Sequence, residues 1–217
     1  MNWNVEIGKQ ISMVILVIMM ILIVIRYRKI EKVNFFFFAG YILLSLTDFF
    51  FYFYHRLTSL FTERFYTVCI TIVFFLYLLY YLKLLYLPVL KKIQSGVLIC
   101  FTLGIAVMFY NDKSLFEHFS FNMLYINILL LTFSIILFLY QTFNSDKIFE
   151  IKNYLPFWIS VGLLIFYIGI IPIFYFRTSV SQDIYFFILF LLNLISNIII
   201  AVGLFWTKQD KIKQVRF

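Results

Sequence analysis

Apolar residues in this chain come in runs long enough to cross the hydrocarbon core of a bilayer, which takes a helix of about 20 residues. Seven runs are present, at about 6–25, 33–54, 65–85, 94–110, 121–143, 154–176 and 184–206; the fourth is the shortest. Backbone polar groups in lipid must be satisfied within the segment, so each run is expected to be helical. The alternating ten-residue segments of a membrane β-barrel are absent. The pattern predicts an all-α, polytopic, single-domain bundle of seven transmembrane helices.

Polar punctuation refines the elements. Pro156 falls in the first turn of the sixth run, where its missing N–H costs little. Pro172 lies near the other end of that run and is expected to kink or stop it. Asn144-Ser145-Asp146 reads as the turn closing the fifth helix. Gly162 and Gly169 are seven apart on one face of the sixth, as close helix packing requires.

Composition agrees with a bilayer as solvent. Of 217 residues, 64% are hydrophobic and 13% charged, against roughly 25% charged in a soluble domain. The net charge of +8 would suggest nucleic acid in a soluble protein. Here the charges cluster between apolar runs and read as topology, so no nucleic-acid partner is expected. With the N-terminus outside, the inner segments are 26–32, 83–93, 144–153 and the tail from Thr207, including Lys208, Lys211, Lys213 and Arg216. They hold thirteen of the 18 basic residues, leaving Lys9, Arg56, Arg64, Lys113 and Arg177 outside. Positive charge favours the cytoplasmic side, so the expectation is N-out and C-in. Trp3, Trp158 and Trp206 fall near span ends, as interfacial aromatics do. The first run has no basic residues before it and no small-residue cleavage site, so it reads as a retained span. Cys69 and Cys100 lie inside apolar runs without metal-ligand spacing and read as small residues facing other helices.

Candidate chemistry is sparse. Asp48 is an ionisable residue inside a run, costly in hydrocarbon and a marker of function or of interhelical bonding. It lies about six residues, or roughly 9 Å, from the outer end of the second run. Tyr41, Ser45, Asp48, Tyr52 and His55 follow spacings of four, three, four and three, which form one helical stripe. That stripe is expected to face the bundle interior. Counting equal depth on other runs adds Ser12, Thr71 and Asn127. Asn193 lies near the same level, with Asn197 four residues on and on the same face. Together they predict a polar layer that either binds a ligand, ion or proton or joins helices by hydrogen bonds.

His55, beside Arg56, reads as a membrane-edge residue. His118, near Asp112 and Glu117, reads as a solvated loop residue, since no HExxH helix accompanies it. Lys83 is expected to snorkel to the interface. The last run holds no lysine for a retinal-type Schiff base, and GxSxG, HExxH, P-loop and paired-carboxylate motifs are missing. No catalytic residue, metal or cofactor is assigned, and an enzyme is the least favoured class.

The stretch NSDKIFEIKNYLPFWISVGLLIFYIGIIP, followed later by NLISNIIIAVGLFWTK, resembles a group of small stand-alone bacterial membrane proteins with seven helices. The resemblance implies seven helices and brings no functional residues with it; the expected location is the bacterial inner membrane, as a multi-pass protein. More loosely, the layout resembles the seven-helix sensor halves of bacterial signalling proteins. Only eleven residues follow the last run, so no output domain in cis is expected. The reading is a receptor-like or accessory component in the lipid bilayer, acting through a separate membrane or cytoplasmic signalling partner. The alternative is a small transporter or proton-coupled protein using Asp48. The basic tail is expected to meet anionic lipid or that partner.

Overall fold

The structure is a computed structural model that describes residues 5–26, 30–58, 63–176 and 179–207. Seven α-helices account for nearly all of it: α1 (Val5–Arg26), α2 (Phe35–Thr58), α3 (Glu63–Leu84), α4 (Pro88–Asn111), α5 (Phe121–Phe143), α6 (Leu155–Tyr175) and α7 (Gln182–Trp206). Each is long and apolar enough to cross a membrane. The chain is a multi-pass, all-α membrane protein. Its described ends alternate between two poles. One carries Glu6, Thr58, Glu63 and Gln182 and is called here the near pole. The far pole carries Arg26, Leu84, Pro88 and Trp206. Trp3, Arg28, Lys29, Arg177 and the basic tail lie outside the described residues.

Two boundaries differ from the sequence expectation, for one reason. Charge ends an apolar run but does not end a helix. α2 continues through His55 and Arg56 to Thr58, whose hydroxyl donates to the Tyr54 carbonyl at 2.8 Å. α4 begins at Pro88, six residues before the expected start, with proline suited to the opening turn. Its Lys91 and Lys92 project outward and Lys83 belongs to α3, so the expected 83–93 loop shrinks to a short turn. The 144–153 segment is also structured: after Asn144 caps α5, a 3-10 helix runs over Asp146–Asn153. Pro156 opens α6, and Pro172 sits within it three residues before its end.

α3 is the central strut, packed against α2, α4 and α5. Its Tyr77, Leu78, Tyr80 and Tyr81 are all essentially inaccessible. On α5 the buried row Leu124, Ile128, Leu131, Ile135 and Phe138 keeps the four-three spacing of one helix face. Outward residues such as Ile18, Ile21 and Val24 on α1 and Ile99, Leu103 and Val107 on α4 are apolar and exposed, as a lipid-facing surface must be. Of the cysteines, Cys69 is buried, whereas Cys100 is exposed on α4, against the expectation that both face other helices.

Lipid removes most of the hydrophobic drive between helices, so close approach and hydrogen bonds carry association. The α6–α7 contact shows the first device. A Cβ added at Gly162 would meet Ile200 at 2.9 Å and the Ser196 carbonyl at 3.1 Å, and one at Gly169 would meet Leu192 at 2.6 Å. Gly203 makes the reciprocal approach, directly against the Trp158 side chain. The far pole shows the second device. Gln141 accepts from the amides of Tyr86 (2.9 Å) and Leu87 (3.1 Å) and donates to the Leu84 carbonyl. One α5 side chain thereby satisfies backbone groups that the α3–α4 turn leaves open. The Tyr80 hydroxyl donates to Asn34 at 3.0 Å. Ser160 donates to the Pro156 carbonyl, so the Tyr81–Ser160 bond of 3.0 Å takes its hydrogen from Tyr81.

Candidate functional site

α1 packs along α7 and only lightly against α2. At the near pole this leaves a cleft bounded by α1, α2 and α7, with Tyr66 of α3 at its back. The cleft is a cavity of about 690 Å³, within the size range of small-molecule sites. Its mouth lies at the level of Glu6, Lys9, His55 and Arg56. Its wall is aromatic, from Phe51, Tyr66, Phe186 and Phe190. Asp48, Ser12 and Asn193 line it further in.

The five-residue stripe of α2 runs straight down this feature. His55 is exposed, Tyr52 and Asp48 half-buried, and Ser45 and Tyr41 buried. A single helix face therefore passes from the mouth of the cavity into the packed core. Because α2 extends to Thr58, Asp48 stands ten residues, or about 15 Å, below the helix end instead of the expected 9 Å. It is near the middle of the span.

The polar groups divide into spent and unspent. At the mouth, Tyr52 donates to Glu6 at 2.9 Å and accepts weakly from Arg56 at 3.4 Å. Lys9 lies 5.4 Å from the Phe186 ring centroid. Beneath the cavity, Tyr41 donates to Asn197 Oδ1 at 2.6 Å. Asn197 donates in turn to the Asn193 side-chain oxygen at 2.7 Å and to its backbone carbonyl at 2.9 Å. Ser45 is spent on the Tyr41 carbonyl. Among the described residues, no hydrogen bond or ion pair reaches the Asp48 carboxylate, the Ser12 hydroxyl or the Asn193 Nδ2. Yet Asp48 lies within electrostatic reach of Tyr41, Tyr66, Tyr77 and Tyr167.

Below Tyr41 the bundle is closed. Phe37 stacks on Tyr77 with centroids 5.5 Å apart, and Gly40 lets the Tyr77 ring approach α2. Asp, Glu, Lys, Arg and His are all missing from the fully buried side chains described. The cavity is thus a pocket with a floor.

Of the expected polar layer, the structure gathers Asp48, Ser12, Asn193, Tyr52 and His55 around the cavity and puts Tyr41, Ser45 and Asn197 directly beneath. Thr71 and Asn127 are elsewhere. Thr71 donates to its own helix at the Thr67 carbonyl, a bond that asks nothing of a neighbouring helix. Asn127 is buried on α5, which packs against α3, α4 and α6 and not against the cleft. Its Nδ2 has no partner among the described residues. Equal depth placed both at the right level, but neither lines the cavity. Tyr66 and the three phenylalanines were not foreseen, because 30 Phe and 16 Tyr in one chain make an aromatic residue uninformative by itself. Glu6, at the mouth, was not foreseen either.

His118 stays outside this site. It is exposed in the α4–α5 loop, 4.0 Å from Glu63. Among the described residues, no three of His, Cys, Asp and Glu gather as metal ligands. No protein-family model matches the chain, and no curated protein or solved structure matches it.

Proposed function

We propose that this protein is a receptor-like integral membrane component that binds a small ligand in the Asp48 cavity and acts through a separate partner. The observation that carries this reading is the unspent carboxylate at the inner end of an open, aromatic-walled cavity. Interhelical glue would place Asp48 against an Asn, Ser or Tyr donor on a facing helix. Instead the bond joining α2 to α7 is made two stripe positions deeper, between Tyr41 and Asn197. A mid-span carboxylate without a partner is a stability cost that a binding role explains.

The closed floor favours a receptor over a transporter. A transporter exposes its site alternately to both sides, and here Phe37, Tyr77 and Tyr80 fill the path beyond Tyr41. We place the near pole outside the cell, following the loop charge, so the cavity samples the external phase and the far pole faces the partner.

The test is the sidedness of a thiol at the cavity. With Cys69 and Cys100 replaced by alanine, Ser12→Cys is treated in sealed cells or inverted vesicles with a membrane-impermeant thiol reagent. Modification from the outer face alone is expected. Modification from both faces would replace the receptor by the transporter, and modification from the cytoplasmic face alone would reverse the topology.

A further inference from the structure

The chemistry of the cavity points to the class of its ligand. We propose that the Asp48 cavity selects a ligand bearing an organic ammonium group, with the cation held at Asp48 between aromatic walls. This rests on the ligand-binding reading above and names what is bound.

Three features carry the assignment. The first is the acceptor set. An ammonium group presents up to three N–H donors and no acceptor. The inner part of the cavity supplies a carboxylate at Asp48, a hydroxyl oxygen at Ser12 and the Asn193 side-chain oxygen. That last oxygen takes one bond from Asn197 and has a second lone pair to offer. The second is the wall. Phe51, Tyr66, Phe186 and Phe190 line the same space, and aromatic faces attract cations, most strongly where water is scarce. The protein already uses one of these rings in this way, since the Lys9 ammonium sits over Phe186.

The third feature is where the opposing charges lie. Lys9 and Arg56 would repel a cation, but both belong to the mouth. Arg56 is eight residues above Asp48 on α2, about 12 Å along the axis, and is turned toward the Tyr52 hydroxyl. Glu6 stands beside them and offsets part of their charge. An anion would meet favourable charge at the mouth and an unpaired carboxylate inside. A hard metal ion asks for more oxygen ligands than this set supplies, six to eight for calcium.

The same Ser12→Cys protein, free of its two native cysteines, tests the charge preference. Its modification rate is measured with the trimethylammonium-ethyl and the sulfonato-ethyl methanethiosulfonates. Each rate is divided by that reagent's rate with a small free thiol. The expected result is a normalised preference for the cation of about tenfold or more, the lower end of the enrichment that charged clefts produce. Asp48→Asn should bring it close to one. A wild-type ratio near one, or one favouring the sulfonate, overturns the ammonium assignment and leaves the cavity standing. A preference that survives Asp48→Asn also overturns it, since the charge named here would not be the cause. Failure of both reagents to react removes the accessible cavity itself, and with it the reading on which the assignment rests. If Asp48→Asn does not elute as a single species, Asp48→Gln takes its place, and the wild-type ratio remains decisive against the proposal.

Discussion

The two poles of this bundle treat their inward-placed polar groups in opposite ways. At the far pole most are spent on a neighbouring helix. Gln141 bridges α5 to the α3–α4 turn, Tyr80 holds Asn34, and Tyr81 holds Ser160. Gln94 is an exception, bonding the Leu78 carbonyl through Nε2 while its Oε1 finds no partner among the described residues. At the near pole, Asp48, Ser12 and Asn193 keep hydrogen-bonding capacity that the protein does not use. Where lipid surrounds a bundle, hydrogen bonds and close packing supply most of its cohesion. On the ligand-binding reading proposed above, the difference separates a pole built to hold from a pole built to receive.

Replacing a polar side chain by leucine should accordingly have opposite signs at the two poles. Gln141→Leu strips the partners from two backbone amides and weakens the satisfaction of one carbonyl. Each buried group left unsatisfied costs on the order of 1–3 kcal/mol, so the loss should be about 2–4 kcal/mol. Thermal melts of the purified protein in one detergent would read it as the largest fall in this group. A Gln141→Leu protein as stable as wild type would remove the contrast between the poles. Gly203→Ala comes next. The new Cβ runs into Trp158 where α6 and α7 pack together, and overpacking of this kind costs about 1–3 kcal/mol. If the melt does not move, that interface is looser than its geometry implies.

At the near pole, Asp48→Leu should stabilise the protein. No described hydrogen bond is lost, and a mid-span carboxylate is removed. The cost of such a group is a few kcal/mol on insertion scales; the open cavity relieves part of it, so a gain of about 1–2 kcal/mol is expected. A clear loss on melting would mean that Asp48 joins helices after all, and the ligand reading would fall with the contrast.

These signs show what the sequence made legible. Seven apolar runs and their turns were readable because membrane thickness imposes a length on each helix. The α2 stripe was readable because a helix turns by a known angle, so Tyr41 through His55 had to share a face. What stayed hidden depended on which helices touch. Depth along the axis put Thr71 and Asn127 level with Asp48, but α3 stands between Asn127 and the cavity. No count along one chain predicts which helix intervenes. The mouth of the site was hidden for a different reason. His55-Arg56 ended an apolar run and read as a boundary, although the helix runs on to Thr58, four residues beyond the expected end. Moving that boundary deepened Asp48 from near-interfacial to mid-span, and it is this depth that makes its missing partner costly.

The smallest effect belongs to the near-pole surface, where polar bonds exist but are short in range. Asp112, just beyond α4, accepts from both the hydroxyl and the amide of Ser114. Those bonds hold its carboxyl below the ordinary carboxylate range, helped slightly by His118. A carboxylate with a lowered folded value adds its stability above the unfolded value and loses it as pH falls through the folded one. The turn should therefore be ordered at neutral pH and loosen only in acid, below the usual range for aspartate. Amide hydrogen exchange at Ser114, corrected for the intrinsic effect of pH, would show protection falling there. Global melting should scarcely respond to Asp112→Asn, because the site is exposed and its bonds close on a residue two positions away. Gln141 has no titrating group and should show no such step. An acid-dependent loss of protection at the Gln141-bonded amides of Tyr86 and Leu87 would show instead that the far pole responds to the same titration, and the two poles could no longer be treated as separate.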